Sequence, residues 1–119
     1  MVYSQSFRKL IMKTKINKKP RLFNVNTIKI KDYGKIKLSK NEMISFVTKS
    51  KKEYDFTAKD WGFYVSPSIN GRLKKEGFKI ALVKNKLGKI FIMAVEREKI
   101  KIFKKYLTNQ QEKVFKWLS

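Results

Sequence analysis

The stretch "FKIALVKNKLGKIFIMAVE", residues 78–96, constrains the fold more than any other part of the chain. Two near-continuous apolar runs flank Asn85 and Gly88, residues suited to a tight turn. Their length and aliphatic and aromatic content read as strands. Paired, they make an antiparallel hairpin apolar on both faces, which belongs at the centre of a sheet. These residues are therefore expected to be the most buried in the protein.

Other segments build around that hairpin. "NVNTIKIKDYGKIKLS", residues 24–39, alternates apolar and polar residues on both sides of Asp32-Tyr33-Gly34, predicting strands 24–31 and 35–39 joined by a loop at Gly34. "EMISFVT" and "EYDFTA" read as two more strands about the turn 49–52. From Ser66 the pattern becomes helical: Ser66 suits an N-cap and Pro67 the first helical position. Ile69 and Leu73 fall four apart, and Gly77 ends the run. In "REKIKIFKKYL", Ile100, Phe103 and Leu107 line one face of a helix that covers the sheet. "KVFKWLS" either prolongs that helix or returns as a strand, and its β-branched and aromatic residues favour the strand. The expectation is an α+β fold, a mainly antiparallel sheet of about five to seven strands with two helices packed on it, forming a single domain over residues 23–119. Residues 1–22 hold seven cations and no acid, and read as a disordered basic tail; Met12 is a second candidate initiator.

The chain has neither His nor Cys. Ser-His triads, Cys-His dyads, disulfides and imidazole or thiolate metal sites are thereby excluded, leaving carboxylates, lysines and hydroxyls for chemistry. A non-catalytic protein without cofactor or metal is favoured, and a carboxylate- or Lys-based enzyme stays open. No apolar run approaches the ~20 residues of a bilayer span, and no leader pattern begins the sequence, so a cytoplasmic protein is expected. Lys and Arg number 30 against nine Asp and Glu, a formal charge of +21. Such a balance accompanies contact with nucleic acid, anionic membrane or acidic partners. AT-rich coding accounts for the 26 Lys against four Arg, but with only six Glu it accounts less well for the net charge.

"DWGFYVSPSINGRLKKEG", residues 60–77, gathers one of two Trp, one of two Pro and three of five Gly. If a helix begins at Ser66, its unpaired first-turn N–H groups and dipole attract an anion. Ser66, Ser68 and Asn70 add donors, Arg72 adds a two-pronged guanidinium, and Gly71 suggests close approach of a ligand, side chain or backbone. Trp61 and Tyr64 precede this start and suit stacking on a sugar or base, whereas Phe63 reads as core. Asp60 is the one candidate general base. A structural use competes throughout, with Arg72 pairing to Asp55, Asp60 or Glu76.

"KDWGFYVSPSINGRLKKEGFKIALVKN", then "GKIFIMAVE" and a closing "WL", resembles short uncharacterised bacterial proteins associated with surface-polysaccharide and sialic-acid-like sugar gene clusters. The resemblance covers residues 42–118 and implies a biological setting, with a nucleotide sugar or a partner enzyme engaging residues 66–72, and no mechanism. Three functions follow: an accessory module binding a phosphate-bearing or anionic ligand or partner protein through residues 66–72, a sequence-nonspecific nucleic-acid-binding protein using its distributed lysines, and a small enzyme of sugar metabolism.

Overall fold

The computed structural model describes residues 13–118. In chain order these form β1 (Lys13–Val25), β2 (Ile28–Lys37), β3 (Met43–Val47), β4 (Glu53–Lys59), β5 (Gly62–Ser66), α1 (Arg72–Lys75), β6 (Phe78–Lys84), β7 (Ile90–Glu96), a 3-10 turn (Arg97–Lys99), α2 (Ile100–Gln110) and β8 (Lys113–Trp117). The fold is α+β and mostly antiparallel, but its eight strands lie in three small sheets, ordered β1-β2, β3-β4-β5 and β7-β6-β8, where one sheet of five to seven strands was expected. Strands as rich in Lys as β1 and β2 carry too little apolar surface to serve as interior strands of a larger sheet. Where the sequence suggested a single domain, the described residues fall into two compact units, 13–44 with 57–64 and 45–56 with 65–118.

The first unit is dominated by the β1–β2 ribbon. Residues 13–22, expected to be part of a disordered tail, are instead strand; residues 1–12 lie outside the described residues. The ribbon reverses at Asn26–Thr27, between the paired Val25 and Ile28, with Asn26 at φ 55°. The expected turn at Asp32-Tyr33-Gly34 does not form, and β2 runs straight through it. Gly34, at φ 126°, is required for a different reason: a Cβ there would lie 1.8 Å from the Lys15 carbonyl oxygen, so glycine permits the close approach of β1. Pairing is irregular nearby, between Ile16 and Arg21. The Asp32 carboxylate fastens this point, accepting from the Gly34 N–H at 2.9 Å and from Arg21 Nε and a terminal guanidinium nitrogen at 3.2 and 3.0 Å.

In the second unit β6 is the middle strand, paired with β7 from Phe78↔Glu96 to Lys84↔Ile90 and with β8 on its other side. The turn between β6 and β7 is held by Asn85, whose side-chain oxygen accepts from the Leu87 and Lys89 N–H groups, both at 3.0 Å, with Gly88 at φ 82°. Alternation along β6 serves two clusters. Phe78 and Ile80 pack with Leu73 of α1, Tyr54 and Ile69. Ala81 and Val83 pack under α2 with Leu107, Phe103, Met93, Val114 and Trp117. Residues 113–117 form the strand their composition favours. Helix α2 ends as Gln111 takes the left-handed conformation and the Glu112 N–H reaches back to the Leu107 carbonyl.

The expectation that both central strands would be the most buried holds for β6 alone. β7 is an edge strand, with Ile92 72% exposed. Leu73, by contrast, is fully buried. Leu73→Ala is expected to lower unfolding stability by about 2–5 kcal/mol, whereas Leu87→Ala, at an exposed turn, is expected to change it by less than about 0.5 kcal/mol. Chemical denaturation followed by circular dichroism reads both.

Candidate functional site

The residues singled out between 60 and 77 are divided between the two units. In the first unit, Trp61 lies in the turn between β4 and β5 and is 72% exposed, while Tyr64 and Phe63 are exposed residues of β5, so Phe63 is not core. Asp60 pairs with Lys40 at 3.1 Å, on an exposed side chain, which accounts for it without general-base chemistry.

In the second unit no helix starts at Ser66. Ser66 closes β5, and Pro67 follows a cis peptide bond and is buried. The helix begins only at Arg72 and lasts four residues, with Gly71 as its N-cap. Nor are the amides of this turn free: the Ser68 carbonyl accepts from the Gly71 and Leu73 N–H groups, and the Ser68 hydroxyl accepts from the Arg72 N–H at 3.3 Å. A Cβ at Gly71 would lie 2.6 Å from the Ser68 Oγ, so a larger residue would displace that hydroxyl from the Arg72 N–H. Asn70 is exposed beside this turn. The Arg72 guanidinium lies 3.9 Å from Asp55, whose carboxylate also accepts from the Ser45 hydroxyl, and 3.7 Å from Glu76. The Gly71, Arg72 and Leu73 amides are thus engaged within a turn that delivers Leu73 to the core, and Ser66, Ser68, Asn70, Gly71 and Arg72 do not form the helix start expected of them.

The organised positive charge lies elsewhere. In β2, Ile28, Asp32 and Ile36 are half-buried, whereas Lys29, Lys31, Tyr33, Lys35 and Lys37 are exposed. Alternation puts Lys29 and Lys31 on one face, and likewise Lys35 and Lys37, each pair roughly 7 Å apart; between the pairs the ladder slips, with Tyr33 unpaired and Gly34 at φ 126°. Lys35 stands directly opposite Lys15 of β1. Like charges facing each other across strands destabilise a ribbon, so this face gains from an external anion. The other face carries Phe23 paired with Ile30, and Arg21, whose guanidinium sits 4.7 Å from the Phe23 ring centre while gripping Asp32. The one acid of the ribbon, next to Lys31 in the regularly paired part of β2, therefore lies on the face opposite Lys29 and Lys31.

A second cationic feature lies in the second unit. Lys74, Lys79, Arg97 and Lys104, with Ile100 and Trp117, line a shallow cavity of about 410 Å³, with no acid lining it among the described residues. Lys79 Nζ sits 4.5 Å from the Trp117 ring centre, and the Arg97 guanidinium donates to the Lys74 carbonyl. Sequence inspection missed this cluster because its members come from five separate elements. The one signal for it in the sequence is Arg97, one of four Arg among 30 cations.

The Gly34 N–H first, and the Arg21 guanidinium second, hold the Asp32 carboxyl below its ordinary value of 3.8. A depressed folded-state value stabilises the ribbon above the unfolded value, and that contribution disappears as pH falls through the folded one. The carboxyl carbon of Asp32 is expected to titrate below 3.8 by NMR, with cross-strand contacts between Phe23 and Ile30 fading over the same interval. In Arg21→Gln the midpoint is expected to rise only part of the way, since the Gly34 N–H remains.

Among the described residues, no helix is long and apolar enough to cross a membrane, and no three carboxylates are grouped to hold a metal ion. Comparison with protein-family models, with curated proteins and with solved structures gives no match to this chain.

Proposed function

We propose that the protein binds single-stranded nucleic acid without sequence readout, laying the strand along the exposed face of β2. The observation that carries this reading is the run Lys29, Lys31, Tyr33, Lys35 and Lys37, all exposed at every second residue of one strand of a two-stranded ribbon. Lysines at a strand's two-residue spacing meet successive phosphates along an extended backbone, and each neutralised phosphate releases counterions. Tyr33, 47% exposed in the middle of the row, offers a ring on which a base stacks. Lys acts as a point charge and lacks the fork that reads a guanine edge, so affinity comes from the backbone and carries no sequence information. The setting is a cytoplasmic one, and no catalysis is assigned.

The cluster around Trp117 favours a second reading, a site for a phosphate-bearing small ligand such as a nucleotide sugar. Its support is the aromatic ring set among four cations lining one cavity. This reading moves the anionic ligand from residues 66–72 to the face where α1, β6, α2 and β8 meet.

Binding of a fluorescent oligothymidylate, followed by anisotropy against salt, tests the first reading. Replacing Lys29, Lys31, Lys35 and Lys37 together by Gln is expected to reduce the log–log salt slope by roughly 3, about 0.7 per phosphate on a single strand. Tyr33→Ala is expected to cost about 1–3 kcal/mol of affinity. A control set of Lys86, Lys89, Lys101 and Lys105 changed to Gln should have much less effect; an equal effect would reduce the proposal to bulk charge. For the second reading, Trp61→Phe leaves Trp117 as the sole indole. Its fluorescence is expected to change saturably with uridine diphosphate at physiological salt, and the change should vanish in Lys79→Gln.

A further inference from the structure

Ile90–Val95 is the longest uninterrupted apolar run in the sequence, and it forms a strand at a sheet edge. A strand apolar on both faces ordinarily lies inside a sheet. Edges are ordinarily protected by Lys, Pro or a bulge. The opposite edge of the same sheet has that protection: β8 carries Lys113 and Lys116, and its register slips between Leu82 and Val83. β7 has no such protection, pairing in unbroken register with β6 on one side while Ile90, Phe91 and Ile92 remain 47, 48 and 72% exposed.

Both flanks of the strand are apolar as well. On one, Ile92 and Ala94 form part of an open trough of about 710 Å³ with Phe46 and Leu118. On the other, beside Met93 and Val95, lie Ile102 and Tyr106 of α2, 68 and 37% exposed. We propose that β7 pairs antiparallel with β7 of a second copy of this chain about a two-fold axis, giving a continuous six-stranded sheet in the order β8-β6-β7-β7-β6-β8.

The occupant is argued from what the edge demands. It must supply a strand's hydrogen bonds and be apolar on both faces at once, and β7 itself meets both demands, as a self-complementary two-fold contact requires. Ile90, Phe91, Ile92, Ile102, Tyr106 and Phe46 expose on the order of 600 Å² of apolar surface, most of the roughly 800 Å² per partner that a stable interface buries. The charge of +21 on each copy opposes the pairing and is screened by salt. Dimerisation therefore strengthens as salt rises, the reverse of polyanion binding, so the two properties fail or succeed separately.

Sedimentation velocity on the full chain at about 0.1 M and about 0.5 M salt tests the proposal. The expected result is a species of twice 14.2 kDa whose share grows with salt. Ile92→Lys, folded by circular dichroism, is expected to be monomeric throughout. A wild type that is monomeric at both salts, or a dimer that folded Ile92→Lys leaves intact, overturns it. Should Ile92→Lys not fold, nitroxide labels decide, since the chain has no Cys of its own. A label on Ile92→Cys should lie within roughly two strand spacings of its counterpart, and one on Lys116→Cys about five spacings away, near 24 Å. Equal or reversed separations count against β7 pairing.

Discussion

Nine carboxylates face 30 cations in this chain, and the placement of those few acids determines which positive charges are committed to the fold. Asp32 fastens the ribbon through Gly34 and Arg21. Asp55 accepts from Ser45 and attracts Arg72, while Glu96 accepts from Thr48 and pairs with Lys99. Glu42 accepts from the Ser39 N–H, and Asp60 pairs with Lys40. These are largely exposed or half-buried pairs, each of modest stabilising effect, but they hold turns and strand ends where apolar packing is thin. The arithmetic leaves most lysines to solvent or to a partner. Those of β2 differ from scattered surface lysines in being fixed at every second residue of one strand.

The segments that announced themselves in the sequence were those in which local chemistry and burial agree. The hairpin of β6 and β7, the helix through Ile100, Phe103 and Leu107, and the returning strand at 113–117 each combine a hydrophobic period with a matching turn or cap. Where the two disagree, the sequence misleads. The near-symmetry of IKIKDYGKIK about Tyr33 imitates a hairpin, because a glycine placed for close strand approach looks like a glycine placed for a turn. Ser66-Pro67 imitates a helix start, because Ser and Pro also suit the end of a strand and the turn that follows it. Edge position cannot be read from β7, since its apolar composition is that of an interior strand.

The candidate sites follow the same logic. The lysines of β2 are evident as a run of alternating Lys, yet without the register the facing of Lys35 by Lys15, and of Asp32 by Arg21, stays hidden. The cluster about Trp117 is assembled by topology, from residues up to 43 positions apart between Lys74 and Trp117. Arg72, conspicuous in composition, is held between two carboxylates at distances of 3.9 and 3.7 Å, a connector inside the second unit. Rarity of a residue type thus marks a geometric requirement without saying whether a ligand or the protein itself imposes it.

Charge gathered on one strand, as opposed to charge spread over the molecule, is what separates a binding protein from a merely basic one. Lysine acetylation footprinting in the presence and absence of a saturating single-stranded oligonucleotide measures that difference residue by residue. Protection concentrated at Lys29, Lys31, Lys35 and Lys37 is the predicted result. Protection spread evenly over the lysines of both units, or absent from β2, would contradict it.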